Sequence, residues 1–304
     1  LLGAVSYGWA FSKEPICGIT PAEQMCTLLM DGEDQTGKAQ AARAPSAEAA
    51  PATTQPSGWR SRPQWPTLSA PMPLAGPGGI RLTRLKAPLV ISGCPQAVFE
   101  RFARRFEQMG LLPVQGGGAA APGAAGELVA GSPIAVTLVD GDLSIAGIGT
   151  LTERVGNDII AFGHPMMEMG RVSLPMAPAE VNAIVPSALF SFKIGSAGSP
   201  VGTLLIDRTE DVYGRIGALP HMLPMTISLS RDDFPGKTEY SYRLADDSNL
   251  TPQLMEMCLF SSLLMKGNLP RENTINYTVS IVTEDGGRTP GAPVAGAQPG
   301  AGAS

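Results

Sequence analysis

The chain lacks a basic block. Its 304 residues hold 22 Lys and Arg against 27 Asp and Glu, a formal charge of −5. A polyanionic partner is bound by displacing counterions along a cationic stripe, so nucleic-acid binding is excluded as a function class. Histidine is scarce, with only His164 and His221. The four cysteines (Cys17, Cys26, Cys94 and Cys258) are far apart and form no C-x-x-C pair. Zinc-type spacing is therefore missing, no metal or other cofactor is implied, and buried free thiols account for the cysteines better than a disulfide. No apolar run reaches the roughly 18 residues that a membrane-spanning helix needs. A signal peptide is not visible either. Because the chain opens on Leu1 within an apolar run, the true amino terminus is expected upstream.

What is present is enough for a sizeable core. Hydrophobic residues make up 43% of a chain long enough for roughly two domains of about 150 residues each. Glycine (36) and proline (28) together exceed a fifth of the sequence, above a usual share of about 12%. They concentrate in three stretches: an Ala/Pro/Ser-rich linker over 31–79, a Gly/Ala segment over 116–126, and a tail over 286–304. These stretches bury too little apolar surface to offset the entropy of ordering them.

Between them lie patterned segments. Residues 1–30 read as a strand end and an aromatic-rich run. A capping box then follows, with Thr20 as N-cap, Pro21 at the first helical position and Glu23 at the third, opening a helix to about Leu29. Leu89–Ile91 reads as a buried strand. The helix after it, Pro95 to Met109, aligns Val98, Phe102, Phe106 and Met109 on one face and ends at Gly110. From Glu127 to Leu229 short apolar runs alternate with turn residues. Ile134–Val139 and Leu143–Ala146 flank Asp140-Gly141, while Thr150–Arg154 and Asp158–Phe162 flank Gly156-Asn157, two hairpin signals. Further strands are expected at Val181–Val185, Phe190–Ile194, Val201–Ile206 and Met225–Leu229. The domain over 80–235 is thus a β-barrel or sandwich. A small α+β module over 236–285 follows, with a helix opening at Thr251-Pro252 and a strand over Ile275–Val282. The fold class is mainly β, α+β overall.

The stretch most suggestive of chemistry is Gly147 to Met166, a hairpin that ends in Gly163-His164-Pro165. A histidine between glycine and proline, just past a strand, sits on a constrained turn where its ring can be aimed as a general base. On spacing alone, a strand-end histidine bonded to nearby backbone is the simpler account.

Gly149-Thr-Leu-Thr followed by Ala161-Phe-Gly-His164 resembles the histidine-bearing segment of the SpoIVB-type serine peptidase family. There a Gly-Thr-hydrophobic-Thr strand leads into a Leu-Gly-His-Gly turn holding the catalytic histidine. Phe192-Lys-Ile-Gly-Ser-Ala-Gly-Ser-Pro-Val-Gly-Thr203 and Val212-Tyr-Gly-Arg-Ile-Gly217 are similar to the segments that come next, so the likeness covers about Ile134 to Leu229. Pro165 stands where the family usually has glycine, as in its Gly-His-Pro variant subgroup of larger bacterial proteins. Leu2-Gly-Ala-Val-Ser-Tyr-Gly-Trp-Ala-Phe11 and Ile19-Thr-Pro-Ala-Glu-Gln-Met25 resemble the sequence just after the family's nucleophile motif, Gly-Met-Ser-Gly-Ser-Pro.

The resemblance implies a chymotrypsin-like β-barrel and a serine endopeptidase acting on protein or peptide substrates outside the cytoplasm. His164 would be the general base, with the nucleophilic serine upstream of Leu1. These residues by themselves are then expected to be inactive. Two further residues are weaker candidates. Ser199, in Gly195-Ser-Ala-Gly-Ser-Pro200, is a candidate replacement nucleophile because it precedes proline after glycine, although its position after the histidine is similar to a structural Gly-Ser-Pro segment of the family and not to the nucleophile loop, and a Gly/Ser turn explains it adequately. Asp207 ends a strand and is placed to orient His164, although an Asp207–Arg208 turn is the duller account. His221 matches no motif. The rival reading is a non-catalytic, peptidase-like scaffold or binding domain of a bacterial envelope protein.

Overall fold

The structure, a computed structural model, describes residues 2–8, 17–26, 74–75, 81–116, 126–186, 191–269, 272–282 and 288–290. Most of the 31–79 linker and of the 286–304 tail lies outside these residues, as does 117–125. The chain divides into two compact units, Leu1–Met265 and Lys266–Ser304.

In the first unit, β1 (Gly3–Gly8) and β2 (Cys17–Pro21) form an antiparallel hairpin with Ala4 opposite Thr20 and Val5 opposite Ile19. Helix α1 (residues 22–26) follows Pro21. Thr20 does not serve as its N-cap. Thr20 belongs to β2, and its hydroxyl is turned inward to the carbonyl of Gly163. Short β3 (Leu74–Ala75) and β4 (Arg81–Arg84) complete a four-stranded sheet in the order β2-β1-β4-β3.

The next elements form a parallel crossover. β5 (Ala87–Ser92) and β6 (Leu111–Gln115) run parallel, joined by α2 (Gln96–Gln108). The predicted stripe is the buried one: Val98, Phe102, Phe106 and Met109 are all at most 1% exposed. Each such side chain contributes about 1.5–3 kcal/mol by leaving water. Gly110 takes the left-handed conformation (φ 82°) that closes the helix.

The barrel comes from the glycine-punctuated hairpins. β7 (Pro133–Gly141), β8 (Ser144–Val155) and β9 (Asp158–Ala161) are consecutive antiparallel strands. They are followed by β10 (Gly170–Val185), β11 (Phe192–Ala197), β12 (Gly202–Asp207) and β13 (Val212–Ile216). The pairing β7-β10-β12-β13-β9-β8 returns to β7, so six antiparallel strands close on themselves. Ile134, Val136, Leu151, Ile159, Leu174, Met176, Leu204 and Val212 belong to its buried core. The expected mainly β, barrel-containing fold is what the chain adopts.

At the far end of the β7–β8 hairpin the sheet opens out. β14 (Met222–Arg231) and β15 (Phe234–Ala245) extend it beyond β7, while β5 and β6 extend it beyond β8. α3 (Thr251–Leu264) packs on β14 and β15, beside α2, and Arg105 meets Glu256 at 2.8 Å between the helices. The boundary expected at residue 236 therefore falls inside a strand. β15 pairs Tyr242, Arg243 and Leu244 with β7, which ties this region to the barrel, and the unit continues to Met265. In the second unit, of the run Ile275–Val282 only β16 (Ser280–Val282) is paired, with β17 (Arg288–Pro290).

Candidate functional site

His164 lies in the turn over residues 162–169 that links β9 to β10. Phe162 (φ 74°) and Glu168 (φ 55°) are the two non-glycine residues of positive φ among those described, and both are in this turn. Such a conformation costs an L-residue about 1–2 kcal/mol, so it persists only where surroundings enforce it. Phe162 is held by its backbone N–H on the carbonyl of Thr150 (3.0 Å) and by its ring, which lies flat against Gly149. A Cβ on Gly149 would stand 1.8 Å from that ring. The glycine of the Gly-Thr-Leu-Thr run is thus the slot into which the turn's first side chain fits.

Gly163 (φ 79°) comes next, and a Cβ there would meet Ala4 at 2.3 Å. Its carbonyl accepts the Thr20 hydroxyl at 2.8 Å, and Thr20 is in turn hydrogen-bonded to Ser6. The amino-terminal hairpin is therefore pressed against the histidine turn from about 150 residues away in sequence.

His164 itself is buried, at 8% exposure. Its Nδ1 lies 2.9 Å from the carbonyl oxygen of Pro165. A carbonyl only accepts, so Nδ1 carries the proton and Nε2 is left with the lone pair. No partner engages Nε2 among the described residues. Burial lowers the pKa of the imidazole. The Pro165 carbonyl opposes that shift, and the nearby Arg84 cation adds to it. Arg84 is 3.7 Å from Glu168 and stacks 5.9 Å above the Tyr7 ring.

Asp207, fully buried at the end of β12, lies beneath the same turn. Its Oδ1 accepts the N–H of Met166 (2.8 Å), and its Oδ2 accepts those of Met167 (2.7 Å) and, weakly, Met169 (3.4 Å). Burial raises its pKa to about 6 against the pull of these amides. The carboxylate thus grips the backbone that follows His164 and makes no hydrogen bond to the imidazole. Its neighbour Arg208 is bidentate on Asp211 (2.7 and 3.0 Å) and also donates to the Gln24 carbonyl (3.0 Å), a second tie to the amino-terminal segment.

Ser199 is exposed between β11 and β12 and is not hydrogen-bonded to His164. His221 is an exposed partner of Asp246 at 2.8 Å. All four cysteines are free; only Cys258 is buried, which pushes its thiol up to about 12. Among the described residues no three His, Cys, Asp or Glu gather into a metal-binding group.

Three participants escaped the sequence reading. Ser6 and Thr20 stand opposite the turn on the inward face of the hairpin, and small hydroxyl residues at alternate strand positions give little signal. Lys193, half-buried, donates to the Thr150 hydroxyl, and burial lowers its pKa. Comparison with protein-family models, curated proteins and solved structures returns no match.

Proposed function

We propose that this chain is part of a SpoIVB-type serine endopeptidase that cleaves protein substrates outside the cytoplasm. His164 is its general base, and the nucleophilic serine is supplied from outside these residues. One observation carries the reading: the Nδ1–H of His164 is held by the Pro165 carbonyl, in a turn kept in strained backbone from Phe162 to Glu168. That hydrogen bond selects the tautomer whose Nε2 can take a proton from a serine hydroxyl. The lowered pKa keeps the ring neutral, and so basic, at pH 7. The contacts of Ala4 and Thr20 with Gly163 fit the same reading, since the resemblance puts the nucleophile loop just before that hairpin. Backbone amides of that loop would hold the oxyanion.

The test uses the complete product of the gene that encodes this chain and a fluorophosphonate probe. One serine should label, and His164→Ala should abolish labelling while circular dichroism is retained. No labelling, or labelling indifferent to His164→Ala, refutes the proposal. One observation favours the second reading, a peptidase-like scaffold: His164 is 8% exposed and no described hydroxyl or thiol is bonded to it. On that reading the turn is a packing device, and the probe finds nothing.

A further inference from the structure

Arg84 is a largely buried cation that makes no hydrogen bond among the described residues. It ends β4 opposite Tyr7 of β1, and its side chain is only 19% exposed. A guanidinium presents five N–H donors in a fixed fork and does not lose its proton in a protein. Donors taken out of water need acceptors, and a buried charge needs them most. Arg105, Arg154, Arg208 and Arg231 are also at least two-thirds buried. Each of them hydrogen-bonds an oxygen at 2.7–2.9 Å. Arg84 has only the Tyr7 ring, 5.9 Å away, and Glu168 at 3.7 Å, beyond hydrogen-bond length.

Glu168 does not close that gap, because it is committed elsewhere. Its Oε1 accepts the Thr209 hydroxyl at 2.6 Å, and its backbone is fixed at φ 55° in the histidine turn. The oxygen nearest Arg84 is the other one, Oε2, and it stays at arm's length. The unused donors suit a planar acceptor that meets the fork with two parallel bonds, which is a carboxylate. With one cation present and the Glu168 charge beside it, a monoanion is held better than a phosphate dianion.

The position of this cation gives the carboxylate a role. Arg84 is close enough to His164 for its charge to act on the imidazole, so an anion on Arg84 is the ring's near neighbour. We propose that Arg84 binds a carboxylate of the peptide substrate beside His164, selecting an acidic side chain or a free carboxyl end next to the cleaved bond. The carboxylate site stands on the geometry of Arg84, whereas naming its occupant a substrate rests on the peptidase reading.

Three short peptides test this on the full chain in chloride-free buffer: acetyl-Ala-Asp-Ala-amide, acetyl-Ala-Asn-Ala-amide, and acetyl-Ala-Ala-Ala with a free carboxyl end. The readout is the titration of the His164 ring in a nitrogen–proton spectrum, which requires no turnover. The charged groups about the histidine turn are Arg84 from β4, Glu168 from the turn itself and Asp207 from β12. A carboxylate on Arg84 cancels the cation that disfavours the imidazolium, so the His164 titration should move upward. The acidic peptides should produce this shift and the Asn peptide should not, and the acid that responds more strongly identifies the source. Arg84→Gln should weaken binding of that acid about tenfold or more. An equal response to the Asn peptide, no response to either acid, or a response that survives Arg84→Gln overturns the proposal. The acid-against-amide comparison uses the unsubstituted protein, so it decides even where Arg84→Gln does not fold. Failure of the peptidase reading shows separately, as absent fluorophosphonate labelling beside an intact carboxylate response; the site then holds and its occupant is not a substrate.

Discussion

Asp207 offers the sharpest test of how the histidine turn is held, because burial and hydrogen bonding pull its ionisation in opposite directions. The carboxylate is 0% exposed and accepts three backbone N–H groups, yet burial prevails and its pKa rises from 3.8 to about 6. At ~1.4 kcal/mol per pH unit, the difference is worth about 3 kcal/mol. The folded state then holds the extra proton between pH 3.8 and about 6. Stability contributed by this group is greatest below pH 4 and falls as pH rises through that window. Asp207→Asn removes the titration. It keeps an acceptor for Met166 but turns an NH2 toward the amides of Met167 and Met169, at about 1–3 kcal/mol for each amide orphaned. Near pH 7 the relief of a buried charge offsets that cost, and the two proteins should be close in stability. At about pH 4 the variant should be weaker by roughly 3 kcal/mol. Urea unfolding followed by circular dichroism at several pH values measures this, and every other titrating group cancels in the difference. A gap that does not change with pH, or that widens toward pH 7, would show that the amides outweigh burial and refute the reasoning.

Three further outcomes follow from the same turn. With only two histidines in the chain, His164 can be assigned in a long-range nitrogen–proton spectrum by comparison with His221→Gln. It should show the Nδ1–H tautomer and titrate below 6.5, so its contribution to stability is lost as pH falls beneath that value; titration above 6.5 contradicts the burial account. Gly149→Ala forces the Phe162 ring from its slot, should cost about 1–3 kcal/mol, and should shift the His164 resonances; unchanged resonances would separate the slot from the turn. Thr20→Val strips the donor from the Gly163 carbonyl at about 1–3 kcal/mol, and hydrogen exchange at Phe162 and Gly163 should quicken, an effect absent if the hairpin does not anchor the turn.

Local pattern reaches some of this fold and stops where the chain meets itself. The stripe from Val98 to Met109 is legible because helical period and burial coincide. Asp140-Gly141 does mark a hairpin, but both residues lie at the end of β7 and the turn is two residues further on, at Asp142-Leu143. Gly141 has a second duty, since a Cβ there would stand 2.2 Å from the Ser241 carbonyl of β15. β10 was visible only in its last third. Pro175 and Pro178 argue against a strand on local grounds. They are tolerated because β10 changes neighbours along its length, pairing with β12, then β7, then β11. His164 was legible as a residue on a constrained turn, whereas what constrains it was not. Asp207 is about 40 residues away in sequence and acts on backbone amides, which have no residue type to search for.

Those distant contacts explain how a turn with two left-handed L-residues survives. Phe162 and Glu168 together cost about 2–4 kcal/mol relative to relaxed backbone. Local sequence does not offset this, because Gly163 and Gly170 at the turn add chain freedom that folding must remove. Three separate elements do: β8 through Gly149 and the Thr150 carbonyl, the amino-terminal hairpin through Thr20, and β12 through Asp207. Each fixes a different part of the turn: Phe162, then Gly163, then the stretch from Met166 to Met169. His164 sits between the last two, with its ring direction determined by backbone held from both sides. A histidine serving only as filler would need none of these ties, since its ring could repack with a relaxed turn. Loosening any one of the three should therefore disturb the His164 tautomer before it unfolds the barrel, and that order of events separates an aimed imidazole from a merely buried one.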